Sequence, residues 1–119
     1  MFKESKQMRN EIVKNSRGGK GDVQVIHLFE QNELKSKSIK LCASIVINPG
    51  VTVGLHSHDE DEELYIFLKG KGTFLENGEK KVMLPGMVSS TGYGESHGIE
   101  NNTDEPLEFI AIVIQDQNK

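Results

Sequence analysis

The sequence holds one cysteine in 119 residues, which excludes an internal disulfide framework. A lone thiol fits a reducing cytosol, and Cys42, inside the apolar run SIKLCASIVI, is expected to be a small core residue. No apolar stretch reaches the about 18–20 residues of a membrane span, and the start, MFKESKQMRN, lacks the apolar heart of a signal peptide. There is no basic block, and the net charge is −4, so nucleic acid and anionic membranes are poor candidates as partners. Arginine, the bidentate clamp for carboxylate and phosphate, occurs only as Arg9 and Arg17. These absences point to a soluble cytoplasmic protein of one domain over residues 1–119.

From residue 22 onward the pattern is that of an all-β chain. DVQVIHLF alternates and ends in the polar EQNELKSKS, and IKLCASIVI is closed by the turn NPG. LYIFL is short, aromatic and branched. TFLENGEKKVML carries Asn77-Gly78 between two strand-like arms, and that dipeptide supplies the positive φ angles of a tight hairpin. LEFIAIVI makes a last, nearly continuous apolar strand. About ten short strands spaced by roughly ten residues argue for a sandwich or barrel over alternating β and α. Residues 3–14 read equally as a short helix or an edge strand. NSRGGKGD at 15–22 reads as a flexible loop, which makes residues 1–21 an N-terminal arm and residues 22–115 the barrel.

Histidine is also scarce, with four residues, and two of them stand in HSHDEDEELYIFLKG. Side chains two apart on a strand share a face, so the imidazoles of His56 and His58 can both reach one metal ion. A lone strand histidine such as His27 reads instead as a packed or surface residue. Five acids follow His58. A reversing turn uses about four residues, so Glu62 or Glu63 opens the returning strand beside the histidines. With Glu63 inward, Tyr65 and Phe67 follow it; with Glu62 inward, Leu64, Ile66 and Leu68 do. Both sets are apolar, and alternation leaves the two acids tied.

Residues 50–70 resemble the first motif of the cupin family, G-x5-H-x-H-x4-E-x6-G, through Gly50, His56, His58, Glu63 and Gly70. GMVSSTGYGESHGIEN resembles the second, with Gly86, Gly94, His97 and Asn101 in register. Gly92 stands where the family usually has proline, a change expected to loosen one turn without removing a ligand. The stretch 71–85 between the motifs is the short kind of small bacterial members. The resemblance implies a double-stranded β-helix, or jelly-roll barrel, with His56, His58, Glu63 and His97 around one divalent metal ion. Such a donor set suits Mn, Fe, Ni or Co, and zinc also binds these groups; at octahedral geometry two positions stay open. Asp59, Glu60, Asp61 and Glu62 then read as a solvated hairpin tip. Asn101 reads as a turn former, with support of a metal ligand as the alternative.

The family includes dioxygenases, oxalate-processing enzymes, sugar isomerases and storage or sensory proteins, and fold does not choose among them. The expected function is a metal-dependent enzyme of dioxygenase, decarboxylase or isomerase type, acting on a small chelating organic molecule. A non-catalytic module that captures a small ligand or the metal is the alternative, and a purely structural metal is a third reading. Tyr65, Phe67, Phe74 and Phe109 are candidate pocket residues, each of which serves equally as core. Met83 and Met87 flank the turn at Pro85-Gly86. Tyr93, between two glycines and close to His97, is the one candidate for a catalytic side chain, since no separate general base stands out. An oxalate or sugar-phosphate enzyme would need Arg17, from the RGGKG loop, or a lysine such as Lys40 to face inward, whereas Arg17 reads more readily as a surface residue. Small cupins resembling this chain commonly form homodimers by exchanging or pairing N-terminal strands, which would bring Arg17 to the neighbour's pocket.

Overall fold

In the computed structural model, which describes residues 1–116, ten strands follow one another in two sheets. They are β1 (Arg9–Lys14), β2 (Asp22–Phe29), β3 (Ile39–Ile47), β4 (Thr52–His58), β5 (Glu62–Lys69), β6 (Gly72–Glu76), β7 (Glu79–Met83), β8 (Val88–Gly92), β9 (Glu95–Glu100) and β10 (Leu107–Ile114). One sheet runs β1-β2-β3-β10-β5-β8 and the other β4-β9-β6-β7, with every pairing antiparallel. The sheets face each other as the jelly roll that the sequence led us to expect. Among the described residues no helix is long and apolar enough to cross a membrane.

Period-two alternation builds the interior. Val23, Val25, Ala43, Ile45, Ile47, Phe67, Leu107, Phe109 and Ala111 project inward from the larger sheet and meet Val53, Phe74, Met83 and Ile99 from the smaller one. Phe67, Phe74, Phe109 and Tyr65 pack edge to face or tilted, with ring centroids 4.5–6.2 Å apart. Met83 belongs to this core, whereas Met87 is exposed. The Asn77-Gly78 hairpin joins β6 and β7 with both residues at positive φ (50° and 87°), as read from the dipeptide.

Several local expectations need correction. Residues 3–14 are neither one helix nor wholly a strand: a 3-10 turn at Ser5–Gln7 precedes β1, an edge strand of the larger sheet. The glycine-rich segment is not loose. It folds into a turn at Ser16–Gly18 and lies on β4, so close that a Cβ on Gly19 would stand 2.3 Å from the Thr52 carbonyl oxygen. Cys42 is half-buried and outward-facing on β3, between the inward Leu41 and Ala43, and burial raises its thiol pKa. Gly92 tightens its turn: a Cβ there would meet the Asp61 carbonyl oxygen and Glu62 Cα at 2.8 Å, so the chain uses glycine for close approach.

A candidate metal centre

His56 and His58 sit at the end of β4, where the pairing with β9 shifts between Val53 and His56. That irregularity lets Val53 and His56, three residues apart, both face inward, and the extra backbone is used. Gly54 O accepts a hydrogen bond from His56 Nδ1 at 2.7 Å. His97 lies opposite His56 on β9. Glu63, the second residue of β5, has its side chain buried and is followed inward by Tyr65 and Phe67, while Leu64, Ile66 and Leu68 face outward. The tie between Glu62 and Glu63 is thereby resolved for Glu63.

The four ligand atoms lie within 4.8 Å of one another. His97 Nε2 is 3.1 Å from both His56 Nε2 and His58 Nε2, and Glu63 Oε1 is 3.1 Å from the Nε2 atoms of His58 and His97. Acceptors stand beside the outer nitrogens of two of the rings. His56 Nδ1 donates to a backbone carbonyl, and His58 Nδ1 donates to Asp61 Oδ1 at 2.7 Å, so each ring, when neutral, turns an Nε2 lone pair to the centre. Two converging lone pairs and a carboxylate are a poor arrangement for each other and a good one for a cation. His97 Nδ1 is buried and has no hydrogen-bond partner among the described residues. Its ring is held by stacking on Tyr65, with centroids 4.8 Å apart and planes 13° from parallel. The donor set therefore fits a divalent ion of the N/O-binding kind.

Charge at the centre follows the same logic. Burial works against ionising Glu63, yet the His58 and His97 imidazoles outweigh it and hold its carboxyl at about 2. Glu63, then Asp61, raise the basicity of His58 against its own burial, whereas burial lowers that of His56. Tyr65 is buried and its phenol is pushed far up by desolvation, with the Glu63 charge adding to it. Tyr65 therefore stays protonated, its hydroxyl 3.5 Å from His97 Nε2.

The centre opens into a cavity of about 380 Å³ between the sheets. Of the aromatic candidates, Tyr65 and Phe109 line it, while Phe67 and Phe74 are core beneath it. Tyr93 is not on its wall; the side chain is half exposed and its hydroxyl donates to Asp116 at 3.1 Å. Asp61 is half-buried against His58, not part of a purely solvated acid tip, whereas Asp59 and Glu60 remain exposed.

Two further residues line the cavity. His27 faces in beside Val23 and Val25, its Nε2 hydrogen-bonded to Glu11 Oε1 at 2.8 Å, and alternation along DVQVIHLF already carried that signal. Arg17, read from sequence as a surface residue, is exposed but lines this chain's own cavity. No sequence period marks it, because the turn that carries it docks on β4 through tertiary contacts.

Residues 43–113 match the family model of the cupin domain. The chain is 40% identical over 114 residues to an oxalate-binding protein of Thermotoga maritima, covering 96% of this chain and 93% of that one. The crystal structure of a predicted oxalate decarboxylase from Thermotoga maritima superposes with a TM-score of 0.90 at 38% identity, over 98% of this chain and all of that one (100%). A polyketide cyclase from Streptomyces resistomycificus shares the fold at a TM-score of 0.80 and 19% identity, over 98% and 81% of the two chains. Barrel, motif glycines and a three-histidine, one-glutamate cluster agree with these matches: the chain belongs to the cupin family, as a small bacterial member.

Proposed function

We propose that this protein binds one divalent metal ion through His56, His58, Glu63 and His97 and uses the site to hold a small chelating organic acid of the oxalate kind. The observation that carries the reading is the convergence of the four ligand atoms within 4.8 Å, with the outer nitrogens of His56 and His58 already committed. A bound ion would supply Lewis-acid or electron-transfer chemistry at the cavity floor. The chain's own residues do the rest: Tyr65 and Phe109 exclude water from one wall, and Asp61 and Gly54 fix the rings of His58 and His56. A relative named as oxalate-binding and a neighbour named as a predicted decarboxylase support the ligand class.

Decarboxylase-type turnover needs a proton donor, and His27 with Glu11 is the acid–base pair on the cavity wall that is not at the metal cluster. Capture without turnover is supported by a different fact. Each carboxylate lining the cavity is already engaged: Glu63 with His58 and His97, Asp61 with His58, Glu11 with His27. Elemental analysis of protein purified without added metal, then calorimetric titration with oxalate and an assay for released carbon dioxide, separates the readings. Near-stoichiometric metal with saturable oxalate binding is expected. Protein that holds metal and ignores oxalate would sink the ligand assignment. Two parts of the reading are independent of the ligand: a cytoplasmic location, in keeping with the free Cys42, and a homodimer, supported by the apolar outer face of the larger sheet.

A further inference from the structure

The segment Asn15–Gly21 is strained and tightly docked, and strain of that kind persists only where its surroundings enforce it. Asn15 and Arg17 both have left-handed backbone, at φ 50° and 55°, a conformation that side chains other than glycine rarely adopt. The enforcing contacts are backbone to backbone. A Cβ on Gly54 would stand 2.0 Å from the Arg17 carbonyl oxygen, and one on Gly19 would stand 2.3 Å from the Thr52 carbonyl oxygen. Further bonds lock both ends. Lys20 N donates to Thr52 Oγ1 at 2.8 Å, Thr52 N donates to Lys20 O at 2.9 Å, and Gly21 N donates to Asn15 Oδ1 at 3.2 Å. Gly54 is also the residue whose carbonyl orients His56, so the turn is tied to the backbone that sets a metal ligand.

Within this turn Arg17 lines the cavity together with His56, His58, Glu63 and Tyr65. Among the described residues its guanidinium has no carboxylate partner, unlike Arg9, which is committed to Glu30 at 2.8 and 3.1 Å. An unpaired guanidinium at the edge of an apolar cavity is a fork of donors for a planar carboxylate. Lys40, also on the wall, is a point charge without that geometry.

We propose that Arg17, held by the docked Asn15–Gly21 turn of its own chain, is the clamp that forks onto the outer, non-coordinating carboxylate oxygens of a metal-chelating organic acid. The assignment deepens the proposed function and rests on it. It replaces the expectation that Arg17 serves a neighbouring subunit. It also gives the strain a purpose: the left-handed backbone at Arg17 keeps its carbonyl against Gly54 of β4 and the residue at the edge of the cavity.

The test uses the full-length, metal-loaded protein and two probes, oxalate and catechol; catechol chelates but carries no carboxylate. In Arg17→Gln, oxalate should bind about tenfold to a hundredfold more weakly, the loss typical of a charge-assisted bidentate contact. Metal content and catechol affinity should stay at wild-type values, and Arg17→Lys should recover only part of the loss. Gly19→Ala keeps the arginine and wedges the turn off Thr52, so it should reproduce the selective loss of oxalate. Wild-type oxalate affinity in Arg17→Gln, or equal losses of oxalate and catechol, would overturn the clamp. Wild-type protein that binds catechol and not oxalate would instead overturn the ligand reading beneath it.

Discussion

Glu62 and Glu63 are chemically almost identical neighbours, and one rotation of the strand separates their fates. Glu63 is buried among three imidazoles with its carboxyl held at about 2, whereas Glu62 is on the opposite face of β5. Glu63→Ala should therefore strip most of the metal from purified protein, while Glu62→Ala should leave its content near wild type. Equal losses in the two variants would break the ligand assignment. The same measurement run against pH has a definite sign. Ligand histidines bind metal only when neutral, so occupancy should be full above the imidazole range and fall over roughly pH 7 to 5. His58, raised by Glu63 and Asp61, takes its proton first, and His56, lowered by burial, takes it late. Glu63 stays ionised throughout that window, so release there reports the histidines. Protein without metal behaves oppositely at one of these groups: a raised His58 stabilises the fold below its ordinary value of 6.5 and stops doing so as pH rises through the folded value. The stabilisation from lowering Glu63 is present above its ordinary 4.5 and fades as pH falls towards 2.

Elements were legible wherever turn chemistry or strict alternation spoke. Asn77-Gly78 placed the β6–β7 hairpin, and the two-residue step from His56 to His58 placed both imidazoles on one face. Alternation failed at β5 and β10 because both faces of those strands are apolar, so period two exists without saying which set is inside. It failed for Asp61 and Arg17 for another reason. Each is positioned by a turn whose course is set by contacts across the fold, Asp61 beside His58 and Arg17 against Gly54. Asn101 shows the limit of reading a turn former as local. Fully buried, it donates from Nδ2 to Ile47 O and Glu105 O, both at 2.8 Å, and its Oδ1 accepts from Thr103 N and Oγ1 at 3.0 and 2.7 Å. It thereby pins the end of β3 to the loop between β9 and β10. Asn101→Ala would leave the Ile47 carbonyl buried without that donor and should cost about 2–3 kcal/mol in urea unfolding. Metal content at saturation should not change. Loss of metal with stability intact would instead give Asn101 a role at the centre.

At the scale of the whole molecule, the larger sheet is apolar on both sides, and among the described residues only one side is covered, by the smaller sheet. Register lines up Asn10, Ile26, Ser44, Ile110, Ile66 and Val88 as one outward row across all six strands. Ile66, Leu68 and Val88 are 38%, 51% and 70% exposed, and Ile110, Ile112 and Ile114 are half-buried on the same face. A contiguous apolar patch of this kind marks an association surface. A second copy brings the same patch about a two-fold axis, so a single surface satisfies both partners. The free edge of β1 is a poorer candidate: Arg9, Glu11 and Lys14 make it a charged edge strand, and two of them are engaged with Glu30 and His27. We therefore expect light scattering to give twice the chain mass at micromolar concentration. The pair Ile66→Lys and Val88→Lys should shift it to the monomer while metal content and oxalate binding persist, because the cavity opens on the opposite face of the sheet. Wild-type protein that is monomeric, or a dimer indifferent to both lysines and lost with Ile12→Lys on β1, would move the interface off this face. A monomeric variant that keeps its oxalate affinity would also show that the clamp at Arg17 acts within its own chain.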